Sequence, residues 1–507
     1  MDVSRTIRNS TSLPAPLGLV AGSGAAMALL ASYWDDSWHT DKGRDEFAIP
    51  PHLLLYGGVL VTSLAVVAWG LRARRSYGTA RRTLGDPALL LAGLGGISTL
   101  ASAPLDNAWH ELFGRDAVLW SPPHLLAVTG ALALSVGVLA GLRYTTGRGA
   151  AGARLIAAAG VIGALQMPVL EYDSDVPQFS TALFLPVAAL GVCLAAVMLD
   201  DLLPGRWDTA KAALAYTALR IGVVGFLALS GSSLTAVPPL LVLLVVLPIL
   251  ASVPMAARLV GIGALAPLVW WPVLQLQGSV TTQVPAGQLP VSVMLGATAG
   301  ALVAWVHGDW RAARSGLAAA PRALVVVAIL AIGLGGLPGR AWAHDPGQGI
   351  EVLEGQLTVQ RAGRRAELMF TLPAPCRTLD PVRTVARRAG QSRSGPLTAS
   401  EASSGRCRLS GTVSGLVPGR WFVYAELRDG SGRRLEAWLP VTDDGTVAED
   451  RPLYEPPATS AQGAQILGGG ALSVLVAGLV LACIRLSKRV ASGRTVGRPA
   501  CSSTLGR

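Results

Sequence analysis

Two segments of the chain pair histidines with aspartates at nearly the same spacing. Asp35-Asp36-Ser37-Trp38-His39, Gly43-Arg44-Asp45 and Pro50-Pro51-His52-Leu53-Leu54 recur as Asp106-Asn107-Ala108-Trp109-His110, Gly114-Arg115-Asp116 and Pro122-Pro123-His124-Leu125-Leu126. From His to His the first copy runs thirteen residues and the second fourteen, and together they hold four of the six histidines in the chain. Both lie between long apolar runs, where ionisable side chains are costly and as a rule functional. Imidazole with carboxylate suits copper, zinc, iron or nickel, and no thiolate is at hand to select a softer set. The expected chemistry is transition-metal binding by Asp35, His39 and His52 and by Asp106, His110 and His124. Such binding needs neutral imidazole, so occupancy should fall as pH drops through about 6.

The spacing also says how the ligands are carried. Asp35 and His39 are four residues apart and share one face of a helix. Pro50 and Pro51 stop that helix and open the next, since proline is tolerated in a first turn, and His52 follows at once. Each copy is thus a helical hairpin with a carboxylate and an imidazole on one arm and an imidazole on the other. The two hairpins run in the same direction, so they can pack as parallel repeats with their sites facing each other. Glu171-Tyr172-Asp173-Ser174-Asp175-Val176-Pro177 reads as a degenerate third copy, with Glu171, Asp173 and Asp175 as further candidate ligands. Asp45 and Asp116, beside Arg44 and Arg115, suit orienting the imidazoles better than binding the ion. Two other readings stand beside this one: polar residues closing short interfacial loops, and a haem between His52 and His124. Trp34, Trp38, Trp109 and Trp120 read as interfacial anchors, and His307 as structural.

Asp35-x3-His39-x12-His52, with its Pro-Pro-His-Leu-Leu helix entry, resembles the metal site in the C subunit of copper membrane monooxygenases. The resemblance covers about 20 residues and implies Asp35, His39 and His52 as ligands near the outer membrane face. It points to copper as the cofactor, with zinc or iron as the other candidates. Asp106, His110 and His124 depart from the pattern by one residue in the last interval.

The elements that must position these residues are apolar helices. The composition is 51% hydrophobic and only 14% charged, with a mean hydropathy of +0.47; a soluble globular chain carries about 25% charged residues. The net charge of +11 gathers in short loops and in an acid-free tail with Arg485, Lys488, Arg489, Arg494, Arg498 and Arg507, which speaks for a lipid bilayer as partner and against nucleic acid. Apolar runs predict twelve spans, near 17–33, 52–71, 88–104, 124–142, 155–170, 180–199, 212–230, 237–253, 257–276, 290–306, 323–337 and 464–484. Arginine and lysine follow the even-numbered spans, which puts both termini in the cytoplasm and both copies of the repeat outside.

The domain reading is a membrane bundle over 1–343, with metal-site hairpins at 34–58 and 105–130, then an extracytoplasmic β-sandwich over 344–445 inserted before the last span. A linker over 446–462, a final helix over 463–485 and a basic cytoplasmic tail over 486–507 complete it. Short strands such as Gln356–Val359 and Trp421–Leu427, and the turn Asp429-Gly430-Ser431-Gly432, carry the sandwich reading. Pro418 to Val441 resembles the small immunoglobulin-like domains beside bacterial copper-handling membrane proteins. Cys376 and Cys407 are the two cysteines in this region, and an oxidising compartment predicts a disulfide between them. Ala341-Trp342-Ala343 ends a short apolar run as a signal-cleavage site would, which adds His344 as a candidate ligand, by its imidazole or as a new N-terminus.

The expected protein is an integral protein of a bacterial plasma membrane that binds copper at its outer face, in acquisition, delivery or transport. A periplasmic or extracellular copper carrier would be its partner. Two alternatives remain at this level: an oxidoreductase like the copper membrane monooxygenases, and an accessory protein with a structural metal. The chain has no phosphate-binding glycine loop, no Cys-x-x-Cys and no haem-attachment motif.

Overall fold

A computed structural model describes residues 12–42, 48–113, 119–177, 179–312, 350–388, 391–402, 405–442, 444–455 and 462–496. The expectations placed on 323–337, Asp45, Asp116 and His344 fall outside these residues, as does the side chain of His110.

Ten helices among the described residues are long and apolar enough to cross a bilayer. Their main helices are α1 Ala15–Asp41, α2 Pro50–Tyr77, α3 Pro87–Phe113, α4 Pro122–Leu142, α5 Ala150–Gln166 (continued by short helical turns to Asp173), α6 Phe184–Leu202, α7 Asp208–Leu229, α8 Met255–Gln277, α9 Leu289–Ala312 and α10 Gln462–Val496. Proline opens α2 and α4, where its missing N–H would have no helical partner in any case. Gly78, in the left-handed region at φ 74°, closes α2.

Close packing of each hairpin rests on glycine. A Cβ on Gly24 would sit 2.5 Å from the Gly58 carbonyl oxygen, and one on Gly58 would sit 2.6 Å from that of Gly24. In the second hairpin a Cβ on Gly95 would meet the Gly130 carbonyl at 2.6 Å, and one on Gly130 that of Gly95 at 2.9 Å. Gly24 and Gly95 each stand eleven residues before the motif aspartate, and Gly58 and Gly130 each six after the second motif histidine. The duplication therefore extends from the motif side chains down to the helix crossings that hold them. Hydroxyls tie the same crossings, with Thr62 donating to Ala21 O at 3.0 Å and Thr99 to Ala127 O at 3.2 Å. Gly58→Val should wedge α1 from α2 and destabilise the chain by about 1–3 kcal/mol or more. Gly57→Val, with nothing within 4 Å of its Cβ, should leave the thermal midpoint in detergent unchanged. Equal midpoints for the two variants would refute this account of the crossing.

The run 237–253 does not form the continuous helix expected of it. Residues 231–239 are largely without regular structure, followed by the short helices Leu240–Leu244 and Val246–Ile249. The ten residues from Leu240 to Ile249 rise at most about 15 Å, half of a bilayer's hydrocarbon core. The segment nevertheless runs from one end of the bundle toward the other. Ser233 bonds the Asp41 carboxylate through its N–H at 2.8 Å and its hydroxyl at 2.5 Å, whereas the Pro248 carbonyl accepts from Arg206 at 2.8 Å. Gln277 satisfies the Val237 backbone from α8, accepting its N–H at 2.8 Å and donating to its carbonyl at 3.2 Å. These bonds satisfy the irregular backbone from within the protein, as such backbone would require inside a membrane.

At the end opposite Asp41, His307 Nε2 lies 3.1 Å from Asp201 Oδ2, and the Ser487 hydroxyl donates to the same oxygen at 3.4 Å. His307 thus joins α6, α9 and α10, in keeping with a structural part.

The second unit is built of β1 Ile350–Ala362, β2 Arg365–Leu372, β3 Leu379–Arg388, β4 Gln391–Gly395, β5 Leu397–Ala402, β6 Arg406–Ser414, β7 Trp421–Asp429, β8 Arg434–Val441 and β9 Gly445–Glu455. The expected sandwich of two sheets is instead one nine-stranded antiparallel sheet, nearly closed on itself, in the order β4-β3-β7-β8-β9-β1-β2-β6-β5. Its interior carries Leu357, Phe370, Leu409 and Trp421. The stretch 446–462, expected as a linker, holds most of β9, which lies between β8 and β1. The consecutive charges Glu449-Asp450-Arg451 hid that strand, whose first half is largely exposed. Cys376 and Cys407 form the expected disulfide, and β7 and β8 form the expected hairpin across Asp429–Gly432.

This sheet docks on the bundle end that carries Asp41. Val385, Phe422, Tyr424, Trp438 and Tyr454 on its outer face pack with Val176. Burial on both faces of β7 explains why Trp421–Leu427 shows no alternation of apolar and polar residues. Arg451 donates to Asp41 O at 2.9 Å and Lys42 O at 3.0 Å, and Arg388 pairs with Asp175 at 2.8 Å.

Candidate metal centre

The end of α1 stays helical through the first motif, so Asp35 and His39 stand one turn apart on one face, as their spacing requires. Pro50 and Pro51 open α2 and place His52 in its first turn. Asp35 Oδ1 lies 3.4 Å from His39 Nε2 and 3.2 Å from His52 Nε2. The two rings stand 6.0 Å apart, centre to centre. One donor atom from each of the three residues falls within 4.8 Å of the others, and among the described residues no other group gathers so closely. A first-row ion bound at about 2.0–2.2 Å holds its ligands roughly 3–4 Å apart, so the set fits such an ion. All three side chains are largely buried.

The second copy repeats part of this geometry. His124 enters α4 behind Pro122 and Pro123, its N–H bonded to the capping Ser121 hydroxyl at 3.3 Å, and its Nε2 lies 3.2 Å from Asp106 Oδ2 on α3. His110 falls one turn beyond Asp106 on α3, as the spacing requires.

Both copies open on one cavity of about 240 Å³ between the hairpins, α5 and the turn that follows it. Its polar end is lined by Asp35, Asp36, His39, His52, Asp106, His124 and Glu171, and among the described residues no lysine or arginine lines it. From there it reaches past Ala25, Val59, Thr62, Thr99 and Ile156. Ala25 lies ten residues below Asp35 on α1, about 15 Å deeper. The deeper walls are apolar apart from a few hydroxyls.

The acids of the third segment part company. Glu171 lines the cavity, with Oε1 accepting the Leu119 N–H at 2.7 Å. Asp173 faces Arg220 at 3.6 Å, both fully buried. Arg220 also donates to Thr235 Oγ1 at 3.1 Å and to Ala236 O, and lies 3.5 Å over the Tyr33 ring. Asp175, held at φ 55°, binds Arg388 and accepts the Arg420 N–H at 2.9 Å. Burial pushes the Asp175 carboxyl up, an effect that Arg388 and Arg420 only partly offset. Of the three acids expected to join the ligands, only Glu171 reaches the cavity. Asp173 and Asp175 are taken by arginines distant in sequence, a pairing that no local spacing reveals.

Asp36 was missed as a cavity residue. Its signal was weak: a second acid beside Asp35 where the other copy has Asn107. The trio Arg388, Arg420 and Arg451, which seats the sheet beside the site, carried no signal that separates it from other surface arginines.

No protein-family model, curated protein or solved structure matches this chain.

Proposed function

We propose that this chain is an integral membrane metalloprotein that binds copper through Asp35, His39 and His52 and takes part in copper acquisition or delivery. The observation that carries this reading is the convergence of one carboxylate and two imidazoles at the rim of a cavity that, among the described residues, no lysine or arginine lines. Ten helices of spanning length and apolarity support the membrane assignment. The placement of basic residues supports a topology with the metal end and the β-sheet unit outside. Among the described residues the deeper cavity walls offer no further imidazole or carboxylate, which favours exchange of the ion at the outer face over passage through this cavity. Zinc or iron would suit the same donors.

A second reading is an oxidoreductase like the copper membrane monooxygenases. What favours it is the apolar pocket directly beneath the candidate ligands, of a size to hold a small apolar molecule. Bound copper would be the exchangeable cargo in the first reading and the redox centre in the second. Cells lacking the protein should change in copper content or copper sensitivity if the first holds. Oxygen uptake by the copper-loaded protein with a reductant and a small hydrocarbon would favour the second. Absence of copper from protein purified after growth in copper-replete medium, and failure to load it afterwards, would remove both.

Orientation has its own test. Cys376 and Cys407 are joined, and Cys193 and Cys483 are buried. An impermeant thiol reagent on intact cells should label the chain only after a mild reductant opens the disulfide. Direct labelling of intact cells without reductant, at Cys501 in the basic tail, would reverse the topology.

A further inference from the structure

The polar end of the cavity gathers more carboxyl groups than the first site uses. Among the described residues Asp35, Asp36, Asp106 and Glu171 line it, and no lysine or arginine does. A buried carboxyl group that lacks a partner is expensive. Glu171 is the most telling of them. It is 4% exposed, its Oε1 is fixed by the Leu119 N–H, and its Oε2 is buried with no hydrogen-bond partner among the described residues. It comes from outside both hairpins, yet shares the cavity wall with Asp106 and His124, whose Oδ2 and Nε2 stand 3.2 Å apart.

We propose that the cavity holds a second cation, bound by Asp106, His124 and Glu171. This deepens the metal-binding reading of the same cavity and rests on it. The first set supplies two imidazoles and one carboxylate, whereas the second supplies one imidazole and two carboxylates, a harder donor set. Its donor atoms are less tightly gathered than those of Asp35, His39 and His52, the one group within 4.8 Å among the described residues. An ion there keeps bound water, as harder ions commonly do. The two positions therefore differ in affinity and in exchange rate, the tighter one being that of the first hairpin.

The test is copper stoichiometry of the full-length protein in detergent, loaded with excess Cu(II), freed of unbound ion by gel filtration and measured by mass spectrometry. The expected result is about two ions per wild-type chain. Glu171→Gln and His124→Ala should each lose about one, and His39→Ala/His52→Ala should lose the other. Glu171→Gln retains an oxygen to accept the Leu119 N–H, and Asp106→Asn is similarly conservative, so the result does not depend on a variant that unfolds. A single ion per wild-type chain, removed by His39→Ala/His52→Ala and untouched by Glu171→Gln, His124→Ala and Asp106→Asn, would overturn the second position and leave the first. Copper content indifferent to both sets of variants would overturn the two together.

Discussion

Replacing His39 and His52 together by alanine is expected to weaken Cu(II) binding at the first site by well over ~100-fold. Loss of a residue that merely orients a ligand costs about 10–100-fold, and here two of three donors within 4.8 Å are removed. Asp35→Asn keeps an oxygen but discards the charge that lies 3.2–3.4 Å from both imidazoles, so it should cost less, about 10-fold. Competition against a chelator of known affinity reads both effects, with elution volume as the check on folding. The helices carrying these residues are held by Gly24, Gly58 and Thr62, well away from the ligands, so the alanine variant should elute as the wild type does. Copper affinity unchanged in that variant would end the case for a metal at this position.

Asp173→Ala should be the most damaging single substitution away from the metal residues. It leaves Arg220 charged, fully buried and stripped of its only carboxylate within ion-pair distance among the described residues, a loss of about 3–5 kcal/mol. The pair also anchors the turn that carries Glu171. Tyr172 O accepts from the Thr282 N–H at 2.9 Å and Asp173 O accepts from the Ala236 N–H at 2.8 Å, so the turn is tied to segments far along the chain. Thermal midpoints of the purified protein in detergent would show the drop. A double replacement, Asp173→Asn with Arg220→Met, should recover most of it, because no unpaired charge remains. If Asp173→Ala proved as harmless as Leu276→Ala, at a side chain 87% exposed, the buried pair would have no structural weight.

Much of the ligand geometry could be read from spacing because it is local. A four-residue step along one helix decides that Asp35 and His39 share a face, and Pro50-Pro51 decides where the next helix begins. Long apolar runs between arginine-rich loops likewise foretold nine of the ten helices as continuous spans within the bundle, and α10 after the sheet. The disulfide followed from a count of cysteines in one region. What depended on contacts between distant segments was not legible. Asp173 and Asp175 resembled Glu171 in type and neighbourhood, yet partners 47 and 213 residues away, Arg220 and Arg388, take them from the cavity. The glycine crossings at Gly24/Gly58 and Gly95/Gly130 were hidden among many glycines until two backbones were seen to touch. The run 237–253, which forms no continuous helix, read as a span because hydropathy records burial and not helicity. Strand β9 failed the opposite way, its solvent-facing charges masking pairing with β1. Local periodicity thus determined which residues form each hairpin. Only the tertiary packing decided that both hairpins and Glu171 share one cavity, because that depends on where the helices cross and on which buried charges find arginine.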